Sequence, residues 1–421
     1  MSTARRVGGL LLVAFLLRLG SNLWLTVPTP GIDADALWYH SSATSLAAGE
    51  GYVHHFTRLP TAAWPPGYPA MLAAVYRLFG ADPAWAFLLN VVAGTLSCWL
   101  AGRIALAIAS TRAQLIATGL LAVAPSHILF ASLVMSETVY TTMMTALVLG
   151  AIVLVRRSDE RVPWGGWLGW GAAVGIASLV RAEAVVLLAA PLVVLATTRM
   201  RARHIAAIAI LVVAGAFFAE LPWLVRNARV FGRVVPVSTS FGRTFLIGHN
   251  PVADGDMNLY SPDPEADQRD LATGGPAREL AVDERLRDAG LEFMREHPGE
   301  ELRLIGKRFY NMFRSDRVWS EWYIPADPAR VPAGAIERLG QLSNLYYWLL
   351  LLVAAPAFVR SLGRADSARL LLSLVVISWS AFFVVLLYGS QRFHFPLLPL
   401  LCVLAADTLC RGWAAAYSER R

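Results

Sequence analysis

Asp33 and Asp35, in Gly31-Ile-Asp-Ala-Asp-Ala-Leu-Trp-Tyr39, follow an apolar run from Val7 to Val27 that is long enough to cross a bilayer. A carboxylate held at a water–lipid boundary can act as a general base on a membrane-bound substrate, provided it is positioned near the proton it removes. It can equally cap the helix expected to begin near Ala36. Asp35 is the better base of the two, because a helix from Asp35 to Ala48 places it one turn from Tyr39 on a shared face.

Four further places combine charge with an apolar setting. Ser136 and Glu137 open an apolar segment, either as a cap with an acidic first turn or as a carboxylate aimed into a cavity. Arg181 and Glu183 interrupt a run that otherwise extends from Trp164 to Thr198. They either neutralise each other or leave Arg181 to grip an anion through the fork of its guanidinium. Arg392 in Gln391-Arg-Phe-His-Phe-Pro-Leu-Leu-Pro399 lies in backbone stiffened by two prolines, with His394 beside it. It reads as an interfacial arginine among aromatic residues or as a phosphate contact. Lys307, the single lysine, and Arg308 are weaker candidates for the same work. His54, His55 and His127 could join Asp33 or Asp35 around a divalent cation, but no ligand spacing supports such a site, and no cofactor is counted on.

The elements that must carry these residues are set by composition. With 56% hydrophobic and 16% charged residues over 421 positions, the chain reads as an all-α polytopic membrane protein. A net charge of +7 invites a nucleic-acid partner, but the arginines mark the ends of apolar runs, so no nucleic acid is expected. Cys98, Cys402 and Cys410 lie in apolar segments and suggest neither disulfides nor a thiolate metal site. The first run is too long, and lacks a small-residue cleavage site, for a removable signal peptide.

Hydropathy predicts about ten spans, near 7–27, 84–108, 113–125, 137–155, 164–180, 183–198, 205–225, 343–360, 369–388 and 395–411. Threaded from a cytoplasmic N-terminus, they put Arg103, Arg112, Arg156, Arg157, Arg161, Arg199, Arg201, Arg203, Arg360, Arg364 and Arg369 on the inner side. The C-terminus is then also cytoplasmic, and every candidate site residue falls on the outer side of a plasma (inner) membrane. Three regions follow: 1–225, an N-terminal membrane module containing a first outer loop at 28–83; 226–342, an outer insertion; and 343–421, the last spans and tail. The insertion reads as small and α/β, with a strand at Val234–Thr239 and helices around Ala281–Met294 and Glu300–Phe313. Broken segments at Pro125 and at Arg181–Glu183 are tolerated at membrane depth only where they line a protein cavity.

These pieces, in this order, resemble the GT-C glycosyltransferases that use polyprenyl-phosphate sugars, among them bacterial protein O-mannosyltransferase-like and aminoarabinose transferase-like enzymes. The resemblance rests on Asp35-Ala-Leu-Trp-Tyr39, Ala47-Ala-Gly-Glu-Gly-Tyr52, Thr61-Ala-Ala-Trp-Pro-Pro-Gly-Tyr-Pro69, Ser136-Glu137 and Ser178-Leu-Val-Arg-Ala-Glu183. Arg226-Asn227, Gly248-His-Asn-Pro251, Glu296-His-Pro298 and Arg392-Phe-His-Phe-Pro396 complete it. It implies a GT-C-like helical bundle in which Asp35 is the catalytic aspartate, Asp33 a partner, and Glu137 a lining carboxylate. Tyr39, Glu183, Lys307 and His394 join as substrate-binding residues, and Arg392 with Arg181 would hold a lipid phosphate. The implied partners are a polyprenyl-phosphate-linked sugar, an extracytoplasmic acceptor and the lipid bilayer. Two departures stand out. Many relatives have Asp-Glu where this chain has Asp35-Ala36, and aminoarabinose transferases usually carry a lysine before the double proline where this chain has Ala63-Trp64. A transporter or flippase of lipid-linked saccharides is the rival reading, since such proteins also place charges and broken helices within the membrane.

Overall fold

The computed structural model describes residues 2–25, 34–158, 161–263, 274–321, 331–363 and 366–418. The membrane bundle begins with α1 (Thr3–Leu25), followed by two short helices, α2 (Ala34–Ala47) and α3 (Gly67–Phe79). It continues through α4 (Pro83–Ile108), α5 (Thr111–Val123), α6 (Pro125–Leu129), α7 (Glu137–Ser158) and α8 (Trp164–Ser178). A 3₁₀ segment, Ala182–Leu188, leads into α9 (Ala189–Ala196) and then the long α10 (Ala202–Phe231). An insertion holds α11 (Phe241–Gly248), α12 (Pro276–Glu296) and α13 (Pro298–Phe313). The bundle closes with α14 (Ala333–Ser361), α15 (Ser367–Leu386) and α16 (Leu398–Ser418).

Seven of these helices are long and apolar enough to cross a bilayer, and an eighth crossing is the bent pair α5 and α6. The chain is a multi-pass membrane protein. Each of the ten expected segments is helical, but α8 (15 residues) is short for a crossing, as is the apolar helix Ala182–Ala196. At about 1.5 Å per residue neither traverses a 30 Å hydrocarbon core upright.

The two expected breaks are real and each has an identifiable cause. Pro125 forces Ala124 into an extended conformation (φ −63°, ψ 114°), and the helix resumes at an angle of 61°. The bend strands carbonyls at the end of α5. Arg18 of α1, fully buried, donates to Leu121 O (3.2 Å) and Ala122 O (3.4 Å), so a cation closes a helix C-terminus. Its guanidinium also donates to His127 Nδ1 at 2.8 Å, which fixes that nitrogen as an acceptor. The second break leaves Arg181 extended (φ −145°, ψ 120°). Gly67 seats against it: its N–H donates to Leu179 O at 2.6 Å, and a Cβ there would lie 2.6 Å from the same oxygen.

α8 and α10 cross with backbones nearly touching. Gly171 and Gly175 face Val212 and Ala216, and Gly215 faces Leu168, the small-residue packing by which membrane helices approach closely.

Among its described residues the insertion is helical, with no strand where α/β was expected. Val234–Thr239 is irregular, with bends at Val237 and Thr239, and α10 takes two of its carbonyls: Trp223 Nε1 donates to Val237 O (2.8 Å) and Asn227 Nδ2 to Val235 O (3.0 Å). With those groups satisfied, no ladder forms, and the described residues contain only an isolated bridge between Val53 and Pro60. Ionic side chains fasten the insertion to the rest of the chain. Glu279 of α12 accepts from Thr61 Oγ1 (2.7 Å), Ala62 N (2.8 Å) and Thr239. Arg226 of α10 donates to the carbonyls of Thr61 (2.7 Å) and Tyr52 (2.8 Å). Arg308 of α13, wholly buried, reaches Gly248 O (2.8 Å), Val384 O (3.3 Å) and Glu301 (3.0 Å). Burial works against ionised Glu301, but His249 and Arg308 outweigh it and hold that carboxyl below its ordinary range.

Gly175→Leu tests the helix crossing, because a Cβ at that position would lie 2.5 Å from the Ala216 carbonyl oxygen. The expected loss is about 1–3 kcal/mol or more, seen as earlier melting in detergent. Gly169→Leu, where nothing lies within 4 Å, should melt like the parent.

Candidate active site

Four separate parts of the chain meet at the end of the bundle that carries α2, α3 and the insertion. Glu137 is the first residue of α7, where the N-terminal helix dipole favours negative charge. Its side chain is 1% exposed, and Oε1 accepts from Arg181 Nη1 (3.0 Å), Arg392 Nε (3.0 Å) and Arg392 Nη2 (2.6 Å). Arg392 Nη2 also donates to Asp35 Oδ2 at 3.1 Å. Arg181 Nε pairs with Glu183 at 2.7 Å. Asp35, Glu137 and Glu183 thus surround two guanidiniums, with Asp35 the more open end of the cluster at 21% exposure.

The alternatives left open by sequence resolve one by one. Asp35 lies in the first turn of α2 and turns its carboxylate to Arg392, 357 positions away. Ser136 sits at the start of α7, and its hydroxyl meets Tyr39 Oη (3.2 Å) and Arg181 (3.5 Å). Arg181 and Glu183 do pair, but the same arginine also serves Glu137 and lies 6.0 Å above the Tyr140 ring. Tyr39 packs edge-on against Tyr68 at 5.0 Å, and burial pushes its phenol well above the ordinary range.

Two expected residues sit elsewhere. Lys307 is half-exposed on α13, 3.9 Å from Glu300, and does not join the cluster. His394 is fully buried behind Arg392 and faces protein on both nitrogens: Nδ1 donates to Met312 O (2.6 Å), and Nε2 meets Asp316 Oδ1 (3.1 Å). Asp33 lies outside the described residues. His54 and His55 stack at 4.9 Å beside Trp38, and burial, then His55, lowers His54 to about 4. His127 is engaged by Arg18. Among the described residues no three His, Cys, Asp or Glu side chains are placed to hold a metal ion, and the charge joining Asp35 to Glu137 is the Arg392 guanidinium.

Asp316 and Tyr388 belong here and were not picked out from sequence. Asp316, 1% exposed, ties His394 to Ser126, whose hydroxyl donates to Oδ2 at 2.5 Å. The turn carrying Arg392 is thereby fixed to the end of the insertion and to the broken helix α6. Since Met312 O only accepts, Nδ1 of His394 is the donor in that bond. Tyr388 is buried beside Phe393, with ring centroids 5.0 Å apart. Burial pushes its phenol up to about 12, so it remains a donor at neutral pH. Asp316 stands among the charges of Arg314-Ser-Asp-Arg317, far along the chain from Arg392, and only the folded chain joins it to His394, whereas Tyr388 lies four positions before Arg392 and carries no charge to mark it.

Residues 63–225 match the family model of dolichyl-phosphate-mannose-protein mannosyltransferases. No curated protein matches the chain as a sequence. ArnT from Cupriavidus metallidurans bound to undecaprenyl phosphate superposes with a TM-score of 0.60 at 16% identity, covering 98% of this chain and 61% of that one. The archaeal oligosaccharyltransferase AglB from Archaeoglobus fulgidus, in complex with an inhibitory peptide and a dolichol-phosphate, gives 0.57 at 14%, over 98% of this chain and 51% of that one. The apo form of the Archaeoglobus fulgidus oligosaccharyltransferase gives 0.59 at 13%, over 99% and 51%. The chain therefore spans about half to three-fifths of the length of these structures, and at such identities the likeness is one of fold.

Asp316→Ala should destabilise the protein by about 1–3 kcal/mol, because it leaves His394 and Ser126 buried without their partner. Asp316→Asn can bond both and should retain most of the stability. Melting curves of the two variants in detergent decide it, and equal losses would show that the negative charge is what matters.

Proposed function

The chain has the GT-C fold, and from that premise we propose that it is a membrane glycosyltransferase using a polyprenyl-phosphate sugar. The observation that carries the reading is the convergence of Asp35 with Arg392 and Arg181 at one mouth of the bundle. A phosphate-linked sugar needs such a pairing: a base for the acceptor and cations for the departing phosphate. ArnT, whose structure holds undecaprenyl phosphate, is similar in fold, which supports the reading.

In this reading the donor tail lies in the bilayer, and its head meets the cluster on the extracytoplasmic side. The acceptor hydroxyl belongs to a cell-envelope lipid, polysaccharide or protein, and it loses its proton to Asp35. Its oxygen forms a bond to the anomeric carbon as the bond from that carbon to the phosphate oxygen breaks. The electron pair leaves with the phosphate, and Arg392 and Arg181 stabilise the negative charge that develops there. Phosphate leaves readily without a general acid, and one displacement inverts the anomeric centre. Glu137 aligns the two guanidiniums, and Tyr39, Ser136 and Glu183 hold the surrounding geometry. Asp33 is assigned as a helper to Asp35.

The test supplies purified protein in detergent with a polyprenyl-phosphate sugar and an envelope-lipid acceptor, and measures polyprenyl phosphate release. Asp35→Asn should lower turnover by about 10²–10⁴-fold, the range of a lost general base. Arg392→Gln should lower it by about 10²–10³-fold. Activity visible only as movement of the donor across a vesicle, or full turnover by Asp35→Asn, would overturn the assignment.

A further inference from the structure

Helix α13 is amphipathic with its polarity reversed relative to the protein. Toward the bundle it presents Glu301, Leu304, Arg308, Asn311 and Met312, all buried. Outward it presents Leu302, Phe309 and Tyr310, which are 73%, 56% and 65% exposed, with Gly306 between them open to its surroundings. Positions 302, 306, 309 and 310 share one helical face, so the apolar residues form a stripe rather than a scatter. Arg303 and Lys307 border that stripe on one side, with side chains 76% and 49% exposed.

The end of α13 is joined to a helix long enough to span a membrane. α14 is long and apolar enough to span the membrane, and it exposes Leu345, Trp348, Leu349 and Leu352. Trp348 Nε1 donates to the carbonyl of Arg314, the residue that ends α13, at 3.2 Å. Trp348 lies midway along α14, where it directly precedes the uninterrupted apolar run Leu349–Phe358, and tryptophan at the entry to such a run favours the headgroup boundary. The end of α13 is therefore tied to that depth.

We propose that α13 lies in the plane of the bilayer interface, with Leu302, Phe309 and Tyr310 immersed among acyl chains. Arg303 and Lys307 reach up to lipid headgroup phosphates while their stems cover apolar surface. The single lysine thus binds the membrane rather than the reacting substrate. α13 also supplies the Met312 carbonyl that holds His394, so lipid contact fixes the depth of the turn bearing Arg392. This assignment requires only that the bundle crosses a membrane and is independent of sugar transfer.

The experiment places a bimane label at Leu302→Cys, at Phe309→Cys and, for comparison, at Asp288→Cys on exposed α12, in protein whose Cys410 is replaced by serine. The protein is reconstituted into nanodiscs with nitroxide-labelled phospholipids or titrated with aqueous iodide. The labels at 302 and 309 should be quenched by nitroxides placed roughly 5–10 Å below the headgroups and shielded from iodide, and the label at 288 should behave oppositely. Iodide quenching at 302 and 309 equal to that at 288 would overturn the proposal. So would protection from both quenchers in discs that hold two copies, since a second chain would then cover the stripe.

Discussion

One buried carboxylate oxygen organises this end of the molecule. Glu137 Oε1 accepts from both Arg181 and Arg392, which come from a broken helix and from the turn before the last span. Two guanidiniums brought together with few waters repel each other, and a shared anion at a helix N-terminus offsets that repulsion. Without Glu137 the arginines would have no reason to converge, and Asp35 would lose the cation that orients it. Burial makes the arrangement demanding: removing one partner strands an uncompensated charge, a cost of about 3–5 kcal/mol.

The same device recurs wherever this chain departs from straight helices. Arg18 closes the carbonyls left open by the bend at Pro125. Glu279 gathers donors from the loop between α2 and α3 and from the irregular segment after α10. Arg308 joins the insertion to the end of α15, and Asp316 joins it to α6 and the Arg392 turn. In a membrane protein irregular backbone must find its partners within the protein. The break at Pro125 is matched by a distant side chain, Arg18, and the break at Arg181 by a distant backbone group, the Gly67 N–H. The loops around the cluster are consequently fixed to several helices at once.

The helical segments were legible because hydrophobic length is a local property of the chain, although of the ten expected spans only seven helices and one bent pair are long enough to cross a bilayer. The breaks at Pro125 and at Arg181–Glu183 were legible for the same reason. Val234–Thr239 was misread as a strand, because its β-branched residues record a preference for extended backbone, whereas a strand also needs a neighbour. Trp223 and Asn227 occupy the carbonyls that such a neighbour would have used. Lys307 drew notice through rarity, which carries no information about direction, and its helix turns it away from the cluster.

By itself the sequence determined a multi-pass helical protein with Asp35, Glu137, Arg181 and Arg392 near the ends of its spans. Only the tertiary structure decided that Arg392 bridges Asp35 and Glu137, that His394 faces Asp316, and that α13 points its apolar face outward. The physical reason is range. Hydropathy is summed over neighbours along the chain, whereas an ion pair between residues 357 positions apart depends on how every intervening helix packs.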